Sequence, residues 1–61
     1  MNIKLGSRWA GADYRQIFVV LAEVELDDDI WIHYREELAE PVKEYSCYRD
    51  SFLSRFTALP E

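Results

Sequence analysis

Two apolar segments joined by three consecutive aspartates dominate this chain. Residues 17–26 read IFVVLAEVEL and residues 30–35 read IWIHYR, with Asp27, Asp28 and Asp29 between them. Alternating apolar and polar side chains, rich in β-branched and aromatic residues, are typical of strands, and aspartate favours tight turns. A helix is the alternative for the first segment, but the aspartate break favours a strand. The pattern predicts a β-hairpin that occupies nearly a third of the 61 residues and largely determines the fold.

The hairpin strands predict two rows of side chains that face away from the core. We expect Val24 and Leu26 to point inward because Glu23 and Glu25 alternate with them. Counting back by two then directs Phe18, Val20 and Ala22 inward as well, and leaves a second apolar row that requires a cover. In the next strand the same alternation separates a core face from an aromatic and polar face. The predicted partner-binding residues are Ile17, Val19, Leu21, Trp31, His33 and Arg35.

The remaining chain predicts three shorter strands and a helical turn. In order, we expect a strand over 4–9, a turn over 10–13, a loop or single helical turn over 36–44, a strand over 45–48, a helical turn over 50–56 and a strand over 57–59. Gly11 supplies a positive φ in the first turn, and Asp50 or Ser51 caps the helical turn. This order predicts a mainly β fold, a small SH3-like barrel of four to five antiparallel strands with one short helical turn before the last strand.

The length and composition allow one small domain, residues 1–61. A chain of this size lies near the lower limit at which apolar burial outweighs conformational entropy. Its content of 49% hydrophobic and 15% aromatic residues is far above that of a disordered segment. The aromatic side chains that we expect in the core are Trp9, Phe18, Tyr34, Phe52 and Phe56.

Charge and cysteine content restrict the partners and the compartment. The net charge of −5 and the scattered Lys and Arg residues oppose direct nucleic-acid binding. A lone cysteine, the absence of a signal-peptide pattern and the absence of a membrane-spanning run predict a cytoplasmic protein that does not enter membranes. The acids predict an acidic surface made of Glu23, Glu25, Asp27, Asp28, Asp29, Glu36, Glu37, Glu40 and Glu44.

No residue pattern predicts catalysis, a cofactor or a metal ion. His33 is the only histidine and has no companion ligand or nucleophile nearby in sequence, so a solvated strand residue is the better interpretation. Cys47 lies near Lys43 and Arg49, which favours a lowered thiol pKa, but a small core residue is the stronger expectation. The three aspartates lack the additional ligands that calcium requires. We therefore expect a protein that is not an enzyme and has no cofactor.

Four short motifs carry a resemblance that spans almost the whole chain. They read LGSRW near the start, VVLAEV and IHYR in the hairpin, and SFLSRFT near the end. In these motifs the chain resembles short uncharacterised proteins of enterobacterial phages and prophages. The resemblance implies a small phage accessory protein of the bacterial cytoplasm, without catalytic residues.

Two functions follow as expectations. The first is a non-enzymatic protein-interaction module that self-associates, as a homodimer, through its outward strand rows. The second is an acidic mimic of DNA that inhibits a host DNA-binding or defence protein. Trp31, together with Trp9 and the tyrosines, also suggests an aromatic groove for a peptide or a cationic side chain.

Overall fold

The computed structural model describes residues 3–60 as five strands and one helix. In chain order the elements are β1 (Arg8–Ala10), β2 (Ile17–Leu26), β3 (Asp29–Glu36), β4 (Glu44–Tyr48), α1 (Arg49–Arg55) and β5 (Thr57–Ala58). The strands pair antiparallel in one open sheet with the order β4-β3-β2-β1-β5. The prediction of a mainly β fold with a short helix before the last strand is confirmed. Met1, Asn2 and Glu61, which the predicted domain 1–61 includes, lie outside the described residues.

Left-handed residues stand in the turns before β1 and β2, and β1 starts at Arg8 rather than at Lys4 as predicted. Gly6 has φ +81°, and the Ser7 N–H donates to the Lys4 carbonyl oxygen, so this segment forms a turn before β1. Tyr14 has φ +60° and its N–H donates to the Gly11 carbonyl oxygen. Gly11, which we expected to supply a positive φ, does not adopt one, and Gly6 and Tyr14 are the left-handed residues of these two turns.

The core lies on one side of the sheet, the inner face, where α1 packs. Buried aliphatic side chains from the N-terminal segment and the two long strands surround a cluster of rings. The buried residues are Ile3, Trp9, Phe18, Val20, Ile32, Tyr34 and Phe52, and the partly buried Cys47, Leu53 and Phe56 pack against them. All five aromatic residues predicted for the core lie in this cluster or against it. Cys47 is half-buried here, close to the expected position.

Phe52 is the residue through which α1 holds the sheet. It is fully buried, and its ring contacts Trp9 edge-on at 5.0 Å between centroids and Tyr34 at 5.3 Å. The helix begins directly after Tyr48, whose side chain makes no capping hydrogen bond, so the predicted cap at Asp50 or Ser51 is wrong. Since β4 runs into the helix without a loop, an extended strand residue occupies the cap position.

The hairpin turn consists of two of the three aspartates. Asp27 and Asp28 have φ of +52° and +66°, and Leu26 pairs directly with Asp29. Two consecutive left-handed residues give the turn a twist that matches that of the flanking strands. Asp29 is therefore a strand residue, in contrast to the expected three-aspartate turn.

A β-bulge at Leu21 inverts the faces of β2 along its length. Val20 pairs with Tyr34, whereas Ala22 pairs with His33, so Leu21 is the extra residue. One extra residue moves each later side chain to the opposite face of the sheet. Val24, which is 40% exposed, consequently points away from the core. The inward positions predicted for Ala22, Val24 and Leu26 are wrong for this reason.

We expect Phe52→Ala to abolish cooperative folding. Truncating a fully buried Phe costs about 3–5 kcal/mol, which equals the whole stability that a core of this size supplies. Thermal unfolding followed by circular dichroism checks this. Ser54 is an exposed residue of the same helix. Ser54→Ala therefore provides the control and should melt close to wild type. A cooperative wild-type-like transition in Phe52→Ala would contradict the assignment of Phe52 as the link between helix and sheet.

The same substitution at adjacent aspartates should change stability in opposite directions. Asp28→Gly should stabilise the protein by about 0.5–1 kcal/mol, because glycine adopts a positive φ without the cost that an L-residue bears. Asp29→Gly should destabilise it, because glycine weakens a paired strand position. Urea unfolding of both variants measures the difference. Equal effects at the two positions would show that charge relief, rather than backbone conformation, dominates this turn.

Candidate functional site

The side of the sheet opposite the core, the outer face, presents three cross-strand rows. Directly paired residues of an antiparallel sheet project to the same side, and each row joins β2, β3 and β4. The rows are Val24–Trp31–Tyr48, Ala22–His33–Ser46 and Val19–Arg35–Glu44. Four of the six predicted partner-binding residues, Val19, Trp31, His33 and Arg35, therefore lie together on one surface.

The other two predicted residues lie at its margin. Ile17 pairs with Ala10 at the start of β2 and is half-buried. Leu21 occupies the bulge, has no direct partner in β3 and is exposed. The sequence missed Val24 and Tyr48, because Val24 reaches this face only through the bulge and Tyr48 only through the pairing of β3 with β4.

The row Val24–Trp31–Tyr48 is the aromatic part of the outer face, and the exposed Leu26 lies beside it. The rings of Trp31 and Tyr48 lie 4.3 Å apart between centroids with 39° between their planes. Tyr48 is 50% exposed, and Trp31 is half-buried beneath these contacts. Aromatic rings held in place by a neighbour lose little entropy when they bind, and they often carry much of the energy of a protein interface.

An ion pair borders this face near the start of β1. Arg8, opposite Val19 in the sheet, donates from Nε to Oε2 of Glu37 at 2.6 Å and from a terminal nitrogen to Oε1 at 3.0 Å. The hydrogen bond from Arg8 lowers the pKa of the Glu37 carboxyl group. The same hydrogen bond raises the pKa of Arg8. Arg35 also donates to the Glu37 carbonyl oxygen at 3.3 Å. The pair fixes the loop after β3 against β1.

The acidic residues do not form one surface. Glu23, Glu25, Asp27, Asp28 and Asp29 surround the hairpin end, whereas Glu36, Glu37, Glu40 and Glu44 lie in or beside the loop between β3 and β4. The two groups are separated by the length of β3, about 23 Å for an extended strand of this length. Glu23 and Glu25 pair with Ile32 and Ile30, which places them on the inner side of the sheet. On the outer face, Asp29 stands beside the apolar row and Glu44 lies farther along the sheet, but neither is part of the row itself.

An aromatic groove of about 640 Å³ lies on the inner side, between the β1–β2 loop and the end of α1. Its lining includes Gln16, Phe18, Tyr34, Tyr45, Arg55 and Phe56. The groove suggested from sequence combined Trp31 and Trp9 with the tyrosines. Trp9 is in the core and Trp31 is on the outer face, whereas the predicted Tyr34 and Tyr45 do line the groove.

The hydroxyl end of Tyr34 is the polar point of this groove. Burial raises the pKa of the Tyr34 phenol above its ordinary value. A terminal nitrogen of Arg55 lies 3.5 Å from the hydroxyl oxygen, and the guanidinium carbon lies 5.2 Å from the centre of the Phe56 ring. The guanidinium is thus held at the rim by a weak hydrogen bond and a cation–π contact.

The described residues offer no metal-binding cluster. Within residues 3–60, no group of three or more His, Cys, Asp or Glu side chains is placed to hold a metal ion. His33 lies exposed between Ala22 and Ser46 on the outer face. Among residues 3–60, no helix has the length and the apolar composition that a membrane span requires.

No protein-family model, curated protein or solved structure matches the chain.

The Arg8–Glu37 pair should make stability depend on pH in the acid range. The pKa of Glu37 is lower in the folded protein than its ordinary value of 4.5, so the pair stabilises above that value and the effect is lost as the pH falls through the folded pKa. Glu37→Gln should therefore melt below wild type at pH 7 and together with it near about pH 3. Glu40→Gln removes the same charge from the exposed part of the loop and is the control. A constant difference at both pH values would argue against the ion pair.

Proposed function

We propose that the protein is a non-enzymatic interaction module that self-associates through its outer face. The observation that carries this proposal is the exposed apolar row Val24–Trp31–Tyr48, with its two rings in contact at 4.3 Å. Exposed apolar patches with polar borders are typical of protein–protein contact sites. Here the His33 row borders it on one side, and the pair Leu26–Asp29, next to the hairpin turn, borders it on the other.

A second copy of the chain is the partner that suits this row. A surface placed on a two-fold axis contacts itself, so it must be complementary to itself. A row of one valine and two aromatic side chains meets that condition, since it carries no charge that would repel its own image. Glu23 and Glu25 project to the inner side, which keeps their charges out of the contact despite the net charge of −5.

Closure of the sheet into an SH3-like barrel is part of the same proposal. The consecutive strand order, the pairing of β1 with β5 and the position of α1 directly before β5 support it. We also propose, from the four motifs of the chain, that it is a phage or prophage accessory protein acting in the bacterial cytoplasm. A small module without cofactors that contacts other proteins is consistent with such a role.

An acidic mimic of DNA is the alternative function. Mimicry of a phosphate backbone requires closely spaced free carboxylates along one surface. The separation of the two acidic groups by β3, and the bonding of Glu37 to Arg8, weaken that arrangement. The apolar outer row therefore supports the interaction module better.

Self-association should disappear when Trp31 is truncated. We expect wild-type protein to have the mass of a dimer in light scattering over a dilution series, and Trp31→Ala to have the mass of a monomer. Leu38→Ala is the control, because Leu38 is 88% exposed and lies outside the outer face. Raising the salt concentration should leave the dimer unchanged or strengthen it, since salt screens the repulsion between two chains of charge −5.

Monomeric wild-type protein at all concentrations would refute the proposal, as would a folded Trp31→Ala variant with the wild-type mass. If Trp31→Ala does not fold, Tyr48→Ser tests the same contact at a half-exposed ring. Dissociation of the wild-type dimer at high salt would indicate an ionic contact instead of the apolar row.

A further inference from the structure

The aromatic groove is a second surface, separate from the outer face. Phe18, Tyr34 and Tyr45 project from the inner side of the sheet, while Phe56 closes the groove from the segment after α1. The β1–β2 loop, including Gln16, forms the other wall. Occupancy of this groove is therefore independent of whether two copies associate through the outer face.

Four rings form the groove floor and one wall, with Phe18 and Tyr34 in contact with each other and with both remaining rings. Tyr34 and Tyr45 stack at 5.4 Å with 24° between their planes, and Phe56 contacts Tyr34 at 5.2 Å and Phe18 at 5.1 Å. Tyr45 is 41% exposed and Phe56 is partly buried, so Tyr45 offers most of the ring surface to a ligand and Phe56 the rest. Rings fixed by their neighbours form a rigid apolar trough. Such troughs accept proline-containing extended segments, which bring rigid rings and are already ordered before they bind.

The charge of the lining selects among such segments. Arg55 is the only charged side chain among the lining residues, all of which lie within residues 3–60. Its contacts with Tyr34 and Phe56 hold the guanidinium at the rim, and a guanidinium has five N–H donors, more than these contacts use. An arginine in a fixed position binds carboxylates through paired hydrogen bonds. A cationic ligand would instead meet a like charge at the point where it approaches the rings.

We propose that the aromatic groove binds an extended peptide segment in which proline stands beside an acidic residue. The proline rings lie on Tyr45 and Phe56, and the carboxylate accepts hydrogen bonds from Arg55. Gln16 lines the opposite wall, where its polar side chain can bond the peptide backbone. The ligand is thus a proline-containing acidic segment of another protein. It binds on the inner side of the sheet, which stays free when the outer face contacts a second copy.

Titration of the full chain with matched synthetic peptides tests this proposal. The probe is the blocked peptide Ala-Pro-Pro-Glu-Pro-Ala, compared with versions that carry Gln or Lys in place of Glu. NMR shift changes should map to Tyr34, Tyr45 and Phe56, and the Glu peptide should bind about three- to tenfold more tightly than the Gln peptide. Arg55→Gln should remove that preference. Arg49→Gln, the same change at the other end of α1, should retain it.

Each other outcome overturns the proposal. Absence of binding by the Glu peptide does so directly, and equal affinity for the Glu and Gln peptides removes the role of Arg55. Tighter binding of the Lys peptide would assign the groove to a cationic ligand attracted by the net charge of −5. Shifts confined to Trp31 and Tyr48 would place the peptide on the outer face. Circular dichroism of both arginine variants verifies that they are folded.

Discussion

The extra residue at Leu21 determines what each side of the sheet presents. Before the bulge, β2 contributes Phe18 and Val20 to the core, and after it the same strand contributes Val24 to the opposite side. Without the extra residue, Val24 would point inward beyond the reach of α1, and a glutamate would stand beside Trp31 on the outer face. The bulge thus gives one strand two functions. It completes the core near β1 and completes the apolar row near the hairpin turn, where only β3 and β4 continue the sheet.

Tyr34 connects the core to the aromatic groove. Its ring contacts Phe18, Tyr45, Phe52 and Phe56, so it belongs to the buried cluster and to the lining of the groove at once. The same ring therefore contributes both to stability and to the groove. Its packing against these neighbours orders the groove floor before binding, which reduces the entropy lost when a ligand binds.

The sequence was sufficient for the features that depend on local pattern. The hairpin, the number of strands and the aromatic core follow from alternation, turn residues and ring content. The bulge could not be predicted from the sequence, because alternation with a period of two contains no signal for an inserted residue. The wrong inward assignment of Val24 and Leu26 follows directly from the bulge. The contact of Trp31 with Tyr48 and the groove at Tyr45 were also out of reach. Both depend on the pairing of β3 with β4 across a loop that carries no register signal of its own.

The exposed apolar row is a consequence of chain length as much as of sequence. A single sheet needs a cover on each apolar face, and the described chain supplies one seven-residue helix, which packs on the inner face. The narrowest dimension of the molecule, 18 Å, is close to the thickness of a sheet with one covering layer. A polar outer face would need no cover, and the rows of His33 and Arg35 are largely polar. Val24, Trp31 and Tyr48 nevertheless form one continuous apolar row beside the exposed Leu26, and contact with a second copy would remove that row from water.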